Sequence, residues 1–371
     1  MRIFRRVNAP DASRVVVSTV PAAGSVWVDV CDPSECRIVE ARTGADAFGW
    51  AATGPIAAQR VHAIARVAFL LEGVCICPDD LAAAGPGRKL LPMRWRIRTQ
   101  TYDLESRGLI MGVLNVTPDS FSDGGSHEDP DRAVAHALGM IESGADLIDI
   151  GGESTRPGAA PVDAAEECRR VMPVLRALRR VSAIPISIDT RNAATAAAAL
   201  ESGADIVNDI SALRHDPAMA ETVRASGAGL VLMHMKGAPP DMQGDPHYED
   251  VTAEVLAFLE ERVASAHSRG IAPESIVIDP GIGFGKTVAH NLALLRDLPR
   301  LTALGCPVLV GVSRKSFLGR VLGIPRPGDR LWAGVALASH AREKGARILR
   351  VHDVMETGDA LRMTEAILNA S

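Results

Sequence analysis

No two cysteines in these 371 residues stand at C-x-x-C spacing, and no doubled pair frames a zinc site. The six that occur (Cys31, Cys36, Cys75, Cys77, Cys168 and Cys306) read as free thiols of a reducing compartment. No apolar run approaches the roughly 18 residues that a membrane span needs, which argues against a membrane protein. The basic start Met1-Arg2-Ile3-Phe4-Arg5-Arg6 is not followed by an apolar signal core, so the expected location is the cytoplasm. With 40 basic and 45 acidic side chains the formal charge is −5, which gives no electrostatic basis for binding nucleic acid. A hydrophobic content of 47% describes a soluble globular chain with room for one large domain and a smaller one.

Two nucleotide motifs are missing as well, each by one residue. The stretch Ile278-Asp279-Pro280-Gly281-Ile282-Gly283-Phe284-Gly285-Lys286-Thr287 ends like a P-loop. A P-loop needs glycine where Pro280 stands, and proline has neither the N–H nor the backbone freedom to wrap a phosphate. The dinucleotide fingerprint fails at Lys286, where a third glycine is required after Gly281 and Gly283.

What is present is a rhythm. Four helix patterns end in Gly-Ala and run at once into an apolar strand, at Gly144-Ala145, Gly203-Ala204, Gly227-Ala228 and Gly345-Ala346. Glycine just past a helix supplies the left-handed residue that stops it. Eight apolar runs of strand length follow one another at 109–116, 147–150, 184–188, 206–210, 230–233, 276–278, 308–312 and 348–351. Between them lie helical patterns such as Val134/Leu138/Ile141 and Val255/Leu256/Leu259/Val263. Unbroken apolar strands are covered on both faces, as in parallel sheets. Eight β/α units in 107–371 fit the ~250 residues of a closed (β/α)8 TIM barrel. An open doubly wound sheet would carry a working dinucleotide turn, which this chain lacks. Residues 1–106 do not share the rhythm. They read as a small α+β extension, with strands at 14–20 and 26–30, a helix around 58–71 and no chemical motif.

A barrel gathers its chemistry at the C-terminal ends of its strands. An acidic residue there often only caps the next helix, but here all eight strand ends bear amides, carboxylates or cations. Asp189, Asn208 and Asp279 offer groups that can read the edge of a flat heterocycle. Arg156, Arg350 and His352 are cationic donors suited to phosphate. Asn115 is a neutral oxygen donor of the kind that suits Mg²⁺ bridged to substrate phosphates. Thr155, Phe284, Lys315 and Ser316 outline a second, more open pocket with a positive charge. Together they describe a heterocycle with a phosphate leaving group and an acidic second substrate.

Several long segments in order carry a family resemblance. They run from Met111 to Gly125 (MGVLNVTPDSFSDGG), from Asp149 to Gly158 (DIGGESTRPG), from Asp279 to Lys286 (DPGIGFGK), then Ser313-Arg314-Lys315-Ser316 and Arg350-Val351-His352-Asp353. The chain resembles the dihydropteroate synthases over residues 108–371. The resemblance implies condensation of (7,8-dihydropterin-6-yl)methyl diphosphate with 4-aminobenzoate in folate synthesis, with Mg²⁺ as cofactor. It also implies a homodimer and a sulfonamide target. By position it implies pterin ligands at Asp189, Asn208, Met233, Asp279 and Lys315, and a diphosphate site at Asn115, Arg156, Arg350 and His352. It assigns Thr155, Pro157, Phe284, Lys315 and Ser316 to 4-aminobenzoate, and catalysis to Asn115, Asp279, Lys315, Arg350 and His352. The glycine-rich loops after the first two barrel strands are expected to act as lids, and Lys286 is expected at a solvated flank with no catalytic role. Two other readings remain open at this point: a pterin-dependent methyltransferase barrel and a silent pterin-binding protein.

Overall fold

The computed structural model describes the backbone of residues 3–8, 14–19, 25–32, 35–44 and 47–50, and residues 93–117, 130–153, 162–237 and 242–370 with their side chains. The chain separates into two units, Met1–Lys89 and Leu90–Ser371. In the first, β1 (Ile3–Asn8), β2 (Arg14–Thr19), β3 (Ser25–Asp32), β4 (Glu35–Gly44) and β5 (Ala47–Trp50) form an antiparallel meander in sequence order. The expected strands at 14–20 and 26–30 are β2 and β3. The helix expected around 58–71 lies outside the described residues.

The second unit opens with a hairpin, β6 (Arg94–Ile97) and β7 (Gln100–Asp103). Eight parallel strands follow: β8 (Leu109–Asn115), β9 (Leu147–Gly151), β10 (Ile186–Asp189), β11 (Ile206–Asp209), β12 (Gly229–Met233), β13 (Ile276–Asp279), β14 (Leu309–Gly311) and β15 (Ile348–Val351). They neighbour one another in the order β13-β12-β11-β10-β9-β8-β15-β14. A parallel bridge from Ile278 to Val308 joins β13 to the start of β14, which closes the circuit of a (β/α)8 barrel. The helices are α1 (Pro130–Glu142), α2 (Ala164–Val181), α3 (Ala193–Glu201), α4 (Met219–Ser226), α5 (Val251–Ser268), α6 (Val288–Arg296), α7 (Leu298–Thr302), α8 (Ser316–Leu322), α9 (Leu331–Glu343) and α10 (Val354–Leu368). Every apolar run expected to be a strand is one. Gly144, Gly203, Gly227 and Gly345 all have positive φ, as helix-stopping glycines should. The boundary at 106/107 read from the rhythm falls after the hairpin, which groups with the barrel unit.

Side chains on a strand point alternately to its two faces. Ile110, Ile148, Ile186, Ile188, Leu230, Ile276 and Leu349 face the helices, where they join one large core. Leu109, Met111, Leu147, Ile206, Val231, Val277, Leu309 and Ile348 turn inward at the strands' beginnings and form a separate apolar cluster with Trp95, Ile97 and Leu104. The β6–β7 hairpin therefore plugs the N-terminal end of the barrel. Trp95 is fully buried and its indole N–H donates to the Ser275 carbonyl at 3.0 Å. Arg98 donates to the carbonyls of Leu200 at 2.8 Å and Ala204 at 2.5 Å, tying the hairpin to the end of α3.

The deepest helix positions include residues beside those of the apolar helix patterns. On α1 the fully buried positions are Ala133, Ala137 and Met140, whereas Val134, Leu138 and Ile141 are only partly covered. Alanine at the contact lets the helix backbone approach the sheet, and the larger side chains wedge in beside it.

Truncating the plug tests its importance. Trp95→Ala should destabilise the full chain by about 3–5 kcal/mol in denaturant unfolding followed by circular dichroism. A loss below about 1 kcal/mol would show that the hairpin does not seal the barrel.

Candidate active site

Above the apolar cluster the same alternation turns polar side chains inward. Asp149, Ser187, Asp189, Asn208, Asp279 and Arg350 share the register of the inward-facing residues on their strands. Asp189, Asn208, Met233 and Asp279 line an open pocket at the C-terminal end. Phe284, Lys315 and Arg350 complete it, with Ile210, Ile282 and Gly311 between them.

Arg350 is the hub of the pocket floor. Its Nε donates to Asp149 Oδ2 at 2.6 Å and its Nη2 to Asp189 Oδ2 at 2.9 Å, so one guanidinium from β15 spans β9 and β10. Asn208 adds a hydrogen bond from its side-chain amide to Asp149 Oδ2 at 3.1 Å. Burial and the neighbouring Asp149 push Asp189 up to about 7, against the pull of Arg350. Asp189 can therefore either accept or donate a hydrogen bond near neutral pH. Asp149 has no exposed surface, and its Oδ1 has no hydrogen-bond partner among the described residues.

Asp279 ends β13. Burial raises its pKa, while the Gly281 N–H at 2.7 Å from Oδ1 and the cations Lys315, Arg350 and Lys286 hold it down. Burial and the Arg350 charge draw Lys315 down to about 8. Its Nζ stands 4.4 Å from the centre of the Phe284 ring, a cation–π distance. Ser316, next to it, is exposed at the start of α8.

His352 follows β15, two residues beyond Arg350. It is not among the residues lining the pocket, and burial, Arg350 and Arg314 push it down to about 3, so it is a neutral imidazole and not the cation expected from sequence. Its Nδ1 lies 3.1 Å from the Ser313 hydroxyl. Asp353 holds the turn after β14 by accepting from Arg314 Nη2 at 2.5 Å. Asn115, the last residue of β8, is partly exposed on the inward register.

The glycine-rich stretch after β13 is a tightly fitted turn. A Cβ on Gly281 would come 1.8 Å from the His234 carbonyl oxygen, and one on Gly285 would come 2.2 Å from that of Lys236. Only glycine fits at either place. Thr287 caps α6 by accepting from the His290 N–H at 3.2 Å, so the residues resembling a P-loop ending stop a turn and start a helix. Lys286 is not at a solvated flank. It is 2% exposed and donates to the carbonyls of Gly281 and Phe284, each at 3.0 Å, and to His234 Nδ1 at 2.9 Å. Burial draws it down to about 7, against the pull of Asp279.

The pocket thus brings together Asp189, Asn208, Met233, Asp279, Phe284, Lys315 and Arg350. Thr155, Arg156 and Pro157 lie outside the described residues, as do most of the two loops expected to be lids. Not every polar strand end points inward. Asp209 turns away to bind the Ser211 and Leu213 N–H groups at 2.8 and 2.7 Å, and His234 stacks edge-on against Phe258 at 4.8 Å. The expectation assigned no role to Asp149, Ile210, Ile282 or Gly311. Asp149 was detectable as an acidic residue interrupting the apolar run of β9; the other three carry no chemical signal.

The family described as pterin binding enzyme matches residues 111–352. A dihydropteroate synthase of Mycobacterium leprae is 49% identical over 267 residues, which is 70% of this chain and 94% of the relative. The chain belongs to the dihydropteroate synthase family. Two solved dihydropteroate synthases from Xanthomonas albilineans share the fold. One, with 4-aminobenzoic acid, is 47% identical with a TM-score of 0.71, covering 75% of this chain and 99% of its own. The other, in complex with 7,8-dihydropteroate, is 44% identical with a TM-score of 0.68, covering 75% and 100%. The family match spans every pocket residue named above and ends at His352.

Removing the hub exposes what it holds. In Arg350→Met two carboxylates face one another without a cation, at a cost of about 3–5 kcal/mol. Asp189 already titrates above its ordinary value, so its ionisation costs stability as pH rises. Without Arg350 the folded value rises further, so the deficit should grow as pH rises through about 7, where Asp189 of the unchanged chain ionises. A deficit independent of pH in denaturant titrations would overturn this assignment.

Proposed function

We propose that the pocket holds (7,8-dihydropterin-6-yl)methyl diphosphate and that 4-aminobenzoate attacks its methylene carbon, giving 7,8-dihydropteroate and diphosphate. The arylamine nitrogen forms the new C–N bond, the C–O bond to the diphosphate breaks, and the leaving group carries away the electron pair. The nitrogen then loses its extra proton to solvent. The observation that carries this reading is the side-by-side placement of Asp189, Asn208 and Asp279 with Lys315 and Arg350 in one pocket.

Each residue has a task that follows from its surroundings. Asp189 and Asn208 meet the amino and ring N–H edge of the pterin. Arg350 fixes Asp189 in place, and its charge also draws the diphosphate towards the strand ends. Asp279 opposes the positive charge that develops on the methylene carbon. Phe284 and Lys315 form the wall for the aminobenzoate ring and its carboxylate, next to exposed Ser316. Neutral His352 offers a hydrogen bond to the departing diphosphate.

Mg²⁺ belongs to this reading. Asn115 offers a single neutral oxygen at the end of β8, which suits an ion that brings phosphate and water ligands of its own. When bound, the ion supplies charge neutralisation for the leaving diphosphate. A cytoplasmic location accompanies this reading, and among the described residues no helix is long and apolar enough to cross a membrane. A homodimer is proposed through α9 and α10, where Trp332, Met355, Met363 and Ile367 are each more than half exposed. A single-chain mass in sedimentation equilibrium would overturn the dimer.

The deciding experiment is diphosphate release from the pterin diphosphate, with and without 4-aminobenzoate. Release that depends on the amine supports the synthase; none would favour a methyltransferase or a silent binding protein. Asp189→Asn should weaken pterin binding by about 100-fold, the loss expected for a charged hydrogen bond in a buried site. Asn115→Ala should raise the Mg²⁺ concentration needed for half-maximal rate. An unchanged requirement would remove Asn115 from the metal site.

A further inference from the structure

Among the described residues Lys286 is the lysine with the least exposed surface, and unlike Lys315 it does not line the pocket. An ammonium group has three protons to donate and accepts none. Lys286 places them on the Gly281 carbonyl, the Phe284 carbonyl and His234 Nδ1, at 3.0, 3.0 and 2.9 Å. The two carbonyls bracket a turn that is itself closed by the Phe284 N–H donating to Gly281 O at 3.0 Å. The third bond ties that turn to the residue after β12. Burial, Lys286 and Arg214 push His234 down to about 2, so its ring is neutral, and it accepts at Nδ1 in the tautomer that carries the proton on Nε2.

The rest of the turn is held from outside. Gln243 donates to the Gly283 carbonyl at 2.6 Å, Asn291 accepts from the Gly283 N–H at 2.7 Å, and Tyr248 donates to the Gly285 carbonyl at 2.9 Å. These bonds fix Gly283 and Gly285. Among the described residues Lys286 is the side chain that holds both ends of the segment that carries Phe284 to its place beside Lys315.

We propose that Lys286 is a positioning residue for the second substrate: its ammonium group clamps the 281–284 turn and so sets the Phe284 wall of the 4-aminobenzoate site. This inference rests on the proposed reaction and adds a residue that touches neither substrate. A lysine that merely filled space behind the strand could be replaced by methionine with equal effects on both substrates. A clamp acting through Phe284 affects the amine substrate selectively.

The test uses the full chain. Lys286→Met keeps the apolar stem and removes all three donors, and Lys286→Gln retains an amide donor. Lys286→Met should raise KM for 4-aminobenzoate about tenfold and leave that for the pterin diphosphate within about twofold, with Lys286→Gln in between. The double variant Lys286→Met/Phe284→Ala should be no worse for 4-aminobenzoate than Phe284→Ala alone, because the two act in series. Amide hydrogen exchange over 281–287, read without substrates, should be faster in Lys286→Met. Unchanged exchange, equal changes in both KM values, or additive losses in the double variant would each overturn the proposal. If Lys286→Met does not fold, the same measurements on Lys286→Gln decide it. If the wild-type chain turns over no 4-aminobenzoate, the reaction is wrong, and hydrogen exchange alone still decides the clamp.

Discussion

In a closed sheet every strand residue has two choices: the lumen or the helix layer. All chemistry in this protein depends on how the sequence assigns them. At the strands' beginnings both choices are apolar, and a hairpin crowned by Trp95 fills the lumen. At their ends most helix-facing residues stay apolar, Asp209 excepted, while the lumen turns acidic and basic. A shift of one residue in any strand would bury its charge among the helices and empty its place in the pocket.

Charges inside a barrel are expensive unless they answer one another. Arg350 resolves this on the pocket floor, since one guanidinium satisfies carboxylates from two strands at 2.6 and 2.9 Å. Asp279 lies within the fields of Lys315 on the pocket side and Lys286 in the adjoining turn. The consequence is a set of groups moved from their ordinary values. Asp189 lies near neutrality, Lys315 is lowered to about 8 and His352 is kept uncharged. Perturbed groups of this kind are what a site for charged, hydrogen-bonding substrates requires.

Much of the fold was legible because a buried parallel strand has a simple signature, a short unbroken apolar run closed by a helix-stopping glycine. The pocket residues on strand ends were legible for the same reason, since the end of an identified strand locates the mouth of a barrel. Helix faces were less legible. On α1 the patterned residues Val134, Leu138 and Ile141 pack against the core, but the deepest positions go to Ala133, Ala137 and Met140, because close approach rewards small side chains. Direction at the strand ends was not legible either. Asp209 and Asn208 are adjacent and both polar, but Asn208 enters the pocket and Asp209 serves its own turn.

The sequence by itself determined the eight-stranded order, the polar strand ends and the family, because these depend on local pattern and on motifs contiguous along the chain. Tertiary structure alone decided the pairing of Arg350 with Asp149 and Asp189, residues brought together from 201 and 161 positions away. It also decided the place of Lys286, which by composition belongs on a surface. A buried ammonium needs three acceptors at once, and here they come from two carbonyls of its own turn and a histidine 52 residues earlier. No local pattern announces that coincidence; only the folded backbone brings those acceptors together.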